Sequence, residues 1–157
     1  MHQNVKAVMW VVLAAGLALA FRSAWATPQE IPVFPMGEEA RVGDLVYRVE
    51  RAWWEKVADD HGHETEYLGV ALAVTNKGER RIQLPPFQLI GPDGRPREVN
   101  YSRIVWPKMN LNPGETLTGK LYFHLPRGEG FQLLISGGYG AGLFAHVEIS
   151  EIDEGGG

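Results

Sequence analysis

The chain contains no cysteine. That absence rules out thiol catalysis, thiolate metal centres and disulfide exchange, and leaves packing alone to hold the fold. Clustered cations are missing too. Lys and Arg number 15 against 19 Asp and Glu, for a net charge of −4, and the one basic cluster, Arg80-Arg81, sits in a turn-like stretch. Polyanion binders need a concentrated basic face, so no nucleic-acid partner is expected. No Gly-x-Ser-x-Gly elbow occurs, and the glycine-rich Ser136–Gly142 lacks the Lys-Ser/Thr that completes a phosphate loop. Carboxylate pairs such as Glu38-Glu39 stand in polar segments, without the apolar surroundings that raise a catalytic pKa. These absences point away from an enzyme.

What is present begins with an export segment. Lys6 and the α-amino group form a short positive head, Ala7 to Phe21 is apolar throughout, and Ala24-Trp25-Ala26 has the small-x-small form of a signal-peptidase site. The apolar run falls short of the roughly 20 residues that cross a bilayer core, and Arg22 closes it. Residues 1–26 are therefore expected to be a cleaved signal peptide, and the chain to work in a secreted, periplasmic or cell-surface location. The alternative is a retained anchor over residues 7–21, the one case in which a membrane contact is expected. Cleavage removes Lys6 and Arg22 and no acid, so 13 basic residues face 19 acidic ones and the charge becomes −6. The remaining residues suit one domain.

Thr27 to Arg41 starts with Pro28, Pro32 and Pro35 and reads as an irregular lead-in, fit for a sheet edge at best. From Val42 the chain alternates like strands. Leu45–Val49 begins the first, which continues through Ala52-Trp53-Trp54; alternation sends one tryptophan into the core and the other outward or under a loop. Leu68, Val70, Leu72 and Val74 share a face, opposite the small residues Gly69, Ala71 and Ala73. A turn at Asn76–Glu79 is expected to need Gly78 at positive φ. Ile82-Gln83-Leu84 and Phe87–Ile90 are short strands, followed by a Pro92-Asp93-Gly94 turn. Pro113-Gly114 suits a type II turn before the strand Thr116–Leu125. Phe131–Ile135 and Phe144–Ile149 are further strands. Glu151–Gly157 is acidic and glycine-rich and is expected to be disordered. Short strands, turn signals and no helical period indicate an all-β antiparallel sandwich over residues 42–150.

Two stretches carry a family resemblance. Tyr67–Asn100 runs an apolar strand into an Asn-x-Gly turn, a Phe-x-Leu strand and an Asp-Gly turn; Leu111–Gly128 opens on Pro-Gly-Glu and ends in Phe-x-x-Pro. Together they resemble a secreted domain-of-unknown-function family related to the mycobacterial immunoprotective extracellular antigen. The resemblance implies an immunoglobulin-like β-sandwich and brings no catalytic residues with it. After Ile135 the glycine-rich stretch departs from the pattern, so pairing of the last strand is left open.

The polar cluster Asp59–Glu64 invites a metal reading: His61, His63, Asp60 and Glu64 offer the imidazoles and carboxylates that zinc or copper would take. A solvated loop tip is the competing reading. Trp54, Tyr101 and Trp106 are candidate binding residues, either for a protein surface joining Trp54–Glu66 to Tyr101–Met109 or, with Tyr139, for stacking on sugars. Met36, Met109, His124 and His146 match no copper-carrier spacing. The sequence thus indicates an exported, non-enzymatic binding module with an extracytoplasmic protein partner and no required cofactor. A metal-binding protein is the alternative, and a carbohydrate-binding module the second.

Overall fold

In the computed structural model, residues 30–100, 103 and 105–155 are described. The expected leader, residues 1–26, and Tyr101 lie outside them. Twelve strands form among the described residues, and no helix there is long and apolar enough to cross a membrane.

One sheet runs β12 (Asp153–Glu154), β3 (Leu45–Ala58), β4 (Glu64–Asn76), β9 (Thr116–His124), with β2 (Glu39–Val42) paired to the start of β3. The second runs β1 (Val33–Phe34), β11 (Phe144–Ile149), β10 (Phe131–Ser136), β6 (Gln88–Ile90), β7 (Pro96–Glu98). A small ribbon joins β5 (Ile82–Gln83) to β8 (Asn110–Leu111). Pairing is antiparallel except for β1 on β11 and β12 on β3. The apolar phase of each strand meets in one core. Leu68, Val70, Leu72 and Val74 face Leu89, Leu133, Ile135 and Val147 across it. Each such side chain contributes about 1.5–3 kcal/mol when fully buried, which is how a chain without disulfides holds together. The expected immunoglobulin-like antiparallel sandwich is the fold observed. Its last long strand, β11, pairs along its whole length with β10.

A bulge decides how the tryptophans divide. Val49 pairs with Leu72 and Arg51 with Ala71, so Glu50 is an extra residue on β3. Before it, Leu45, Tyr47 and Val49 point inward; after it, Ala52 and Trp54 do. Trp53 therefore lies on the opposite face of the sheet, yet it is only 1% exposed.

Three expectations need correction. The lead-in is not irregular throughout, because β1 lies inside it and β2 begins in it; β1 takes the sheet-edge place its prolines allow, where the Pro32 carbonyl accepts from the His146 amide at 2.8 Å. The tail is not disordered as a whole either: Asp153 and Glu154 pair with Trp53 and Trp54, helped by an Arg51–Asp153 contact at 2.8 Å and an Arg127–Glu154 ion pair. Gly78 does not adopt positive φ. Glycine is needed there because a Cβ would stand 2.6 Å from an Asp44 carboxylate oxygen. Asn76 organises that turn instead, accepting from the Gly78 amide at 2.9 Å and donating to the carbonyls of Arg80 (2.7 Å) and Leu111 (3.1 Å). Gly94 and Gly114 do take positive φ, 74° and 77°, as their turns require.

Candidate functional site

The outer face of the first sheet is closed by its own side chains. Trp53 lies over Gly69, where any Cβ would collide with the indole, and meets Tyr122 edge-on with ring centroids 5.9 Å apart. Lys120 and Arg51 stand 5.5 and 5.6 Å from its ring centroid. Arg103 covers both Tyr67 (4.8 Å) and Tyr122 (4.9 Å) and pairs with Glu55 at 3.5 Å. Burial, and then the Glu55 charge, push the Tyr122 hydroxyl pKa upward. Cation–π contacts of this kind satisfy the aromatic faces internally and leave little for a ligand.

The two described tryptophans of the aromatic binding surface expected from sequence are placed elsewhere. Trp54 is in the core, 4% exposed, edge-on to Phe131 with Arg127 across its ring at 5.5 Å. Trp106 packs into the gap over Gly119 and against Phe87 at 5.3 Å. Residues 54–58 and 64–66 are strand rather than loop. The two tryptophans serve packing, so among the described residues Trp54 and Trp106 present no shared exposed surface; Tyr101 lies outside the described residues.

The expected metal ligands His61, His63, Asp60 and Glu64 are not brought together. Asp59, not Asp60, holds the β3–β4 turn: its carboxylate accepts from the amides of His61 and His63, both at 2.8 Å, and approaches His63 Nδ1 at 3.2 Å. Those hydrogen bonds, led by the His63 amide, lower the Asp59 pKa. His61 and His63 rings sit 6.4 Å apart, and Glu64 turns toward Lys56. Among the described residues, no three His, Asp or Glu side chains are grouped to hold a metal ion. Met36 and Met109 pack against the core, while His146 lies on the second sheet and His124 beside Tyr67, so no methionine–histidine site forms either.

The second sheet differs. Its β6 meets β10 only from Gln88 to Ile90, because Pro85 and Pro86 cannot donate to a ladder. β10 runs on through Ile135 and Ser136 without a β6 partner, and a cleft of about 250 Å³ opens there. Tyr47, Phe87 and Ile135 give it buried apolar walls, Leu134, Pro86 and Phe144 line it from the outer side, and Gln88 and Glu98 bring polar groups. Tyr47 reaches it from the other sheet and donates its hydroxyl to the Ser136 carbonyl at 2.7 Å. Burial pushes that phenol up to about 12, so it stays a neutral donor. Burial also lowers the pKa of His146, keeping the same face free of cationic charge near neutrality. An apolar cleft with a few convergent polar groups can seat an apolar side chain and orient its backbone. Sequence reasoning missed it. Phase was the available signal: with Ala145, Val147 and Ile149 inward, Phe144 falls among His146 and Glu148 on the outer face, a large apolar residue out of place.

Comparison with known proteins follows this picture. The family described as a domain of unknown function (DUF4352) matches residues 34–143. The chain belongs to that family. No curated protein matches the sequence. Among solved structures, the DUF4352 chain is similar to the YjhA protein of Bacillus subtilis at 17% identity and a TM-score of 0.54, over 74% of this chain and 99% of that one. It is also similar to MPT63, a secreted protein of Mycobacterium tuberculosis, at 14% identity and a TM-score of 0.55, over 79% and 99%. A putative lipoprotein of Bacillus subtilis, YcdA, gives 18% and 0.54, over 70% of this chain and 38% of that one. At these identities the likeness shows the β-sandwich fold.

Proposed function

We propose that this DUF4352 chain is an exported, non-enzymatic binding module that takes an extended segment of an extracytoplasmic protein on the outer face of its second sheet. One observation carries the reading. The first sheet's outer face is closed by Trp53, Tyr122 and their cations, whereas the second presents a cleft with Phe144 half-exposed beside it. Glu98 enters no ion pair among the described residues, so the cleft favours a basic group beside the apolar one it seats. Export is supported by the N-terminal sequence and by the secreted and lipoprotein descriptions of two structural relatives. The test is a crosslinking pull-down from the native envelope, with intact-mass readout to report whether residues 1–26 survive. A partner should be captured by the natural chain and lost with Phe144→Ser or Glu98→Lys. Equal capture by all three chains would place binding elsewhere.

A further inference from the structure

Five large apolar side chains that stand open to solvent gather at one corner of the second sheet. Ile31, Val33, Tyr139, Leu143 and Phe144 are each 45 to 72% exposed, and among the described residues only Val105 is another of their kind. The topology makes the corner continuous. Parallel pairing sets Val33 beside His146, and the same register carried two residues back, past the end of β1, places Ile31 opposite Phe144. Leu143 lies over Gly43 and Gly137, and Tyr139 occupies the tip of the same β10–β11 hairpin. Neither segment that builds the corner, 31–36 or 136–149, contains Lys or Arg. Arg41, at its border, turns its Nε onto the Gly43 carbonyl at 3.0 Å.

We propose that this corner inserts shallowly into the interface of a lipid bilayer, and that neutral phospholipid is sufficient. This goes beyond the protein-binding reading and does not depend on it. The chemistry suits an interface: aliphatic chains and a phenyl ring for the acyl boundary, and a tyrosine whose hydroxyl stays in the headgroups. The chain is net acidic and the corner's own segments carry no cation; Arg41 and the Arg80-Arg81 pair beside Ile82, at its border, are fewer than the basic clusters that make anionic lipid a requirement. A second copy fits less well, because the exposed apolar area is on the order of 500 Å², below the roughly 800 Å² per partner of a stable protein interface. Chain length gives the remaining argument. The apolar run Ala7–Phe21 ends ten residues before Ile31. Wherever that run is retained, Ile31 stays within at most about 36 Å of its end.

The absence of cysteine permits a clean test, because any introduced thiol is unique. Ala141→Cys carries an environment-sensitive fluorophore on the hairpin while keeping all five apolar side chains. His61→Cys carries the same label on the β3–β4 turn, at the far end of the 14-residue β3. The full chain is incorporated into phosphatidylcholine vesicles with and without spin-labelled lipid. Blue-shifted emission and lipid quenching at position 141 but not at 61 are expected. Adding Tyr139→Ser and Phe144→Ser to the Ala141→Cys chain should cut the quenching at least about threefold, both residues being surface positions outside the core. Water-like emission at 141, or quenching unchanged by the two serines, overturns the proposal. So does a shift that appears only when envelope protein is added, which would make the corner a protein contact. Loss of the pull-down partner alone would not bear on it.

Discussion

At the scale of single residues, the second sheet's cleft depends on one phenol. Tyr47 spans the core from the first sheet, and its hydrogen bond to the Ser136 carbonyl is the buried polar link between the layers. Removing the hydroxyl in Tyr47→Phe should cost about 1 kcal/mol at pH 7, since the Ser136 carbonyl loses its buried donor. The pH dependence has a fixed sign. Burial raises the folded pKa from 10.0 to about 12, so the stabilisation is complete below pH 10 and is lost as pH rises from 10 toward 12. Unfolding free energies of the natural chain, read from urea titrations, should therefore fall through that window by about 2–3 kcal/mol more than those of Tyr47→Phe. Parallel pH profiles of the two chains would contradict this. Gly69 is the second residue on which much rests. Val at that position has to displace the Trp53 indole, so Gly69→Val should lose about 1–3 kcal/mol by denaturant titration and raise acrylamide quenching of tryptophan emission.

At the scale of elements, the strands with a clean period were legible. β4, β9 and β11 appear where alternation of Leu, Val and Ile puts them, because period-two burial is itself what forms them. β3 was legible at its start and not in its parity, since Glu50 adds one residue and reverses which side chains face inward. β1 and β12 were invisible for a different reason: two residues have no period, and what holds them is a partner far away in sequence. The cleft was hidden likewise, being a gap left by Pro85-Pro86 and floored by a residue from the opposite sheet. Deleting Glu50 removes the extra residue and makes the ladder regular, so Ala52 and Trp54 should stay inward and the folded far-ultraviolet spectrum should be kept; a chain that loses that spectrum would contradict the bulge assignment. Ending the chain after Glu151 removes β12 and Ile152, which packs on the core; the expected loss is about 1–2 kcal/mol, read as a lower thermal midpoint. Asp153→Ala alone should cost less than about 1 kcal/mol, because the Arg51–Asp153 pair is about half exposed.

At the scale of the molecule, the two sheets share one core and differ in what they show to the outside. Trp54 and Leu72 of one layer and Phe131 and Val147 of the other belong to the same buried cluster, and Tyr47 is hydrogen-bonded across it. Apart from the Trp53–Tyr122 layer on the first sheet, the apolar contacts of each sheet are made to the other, so no stable half-structure is available. A chain beginning at Thr27 should therefore unfold in one step, with far-ultraviolet dichroism, tryptophan emission and near-ultraviolet dichroism giving one urea midpoint. The comparison is diagnostic because Trp53 and Trp54 report from the two faces of the same sheet. Were the Trp53 layer a separate unit fixed by surface cations, its emission would change at lower urea than the backbone signal, and would do so earlier in high salt. Coincident midpoints, insensitive to salt relative to one another, are the outcome expected of a sandwich whose closed outer face is an extension of its core.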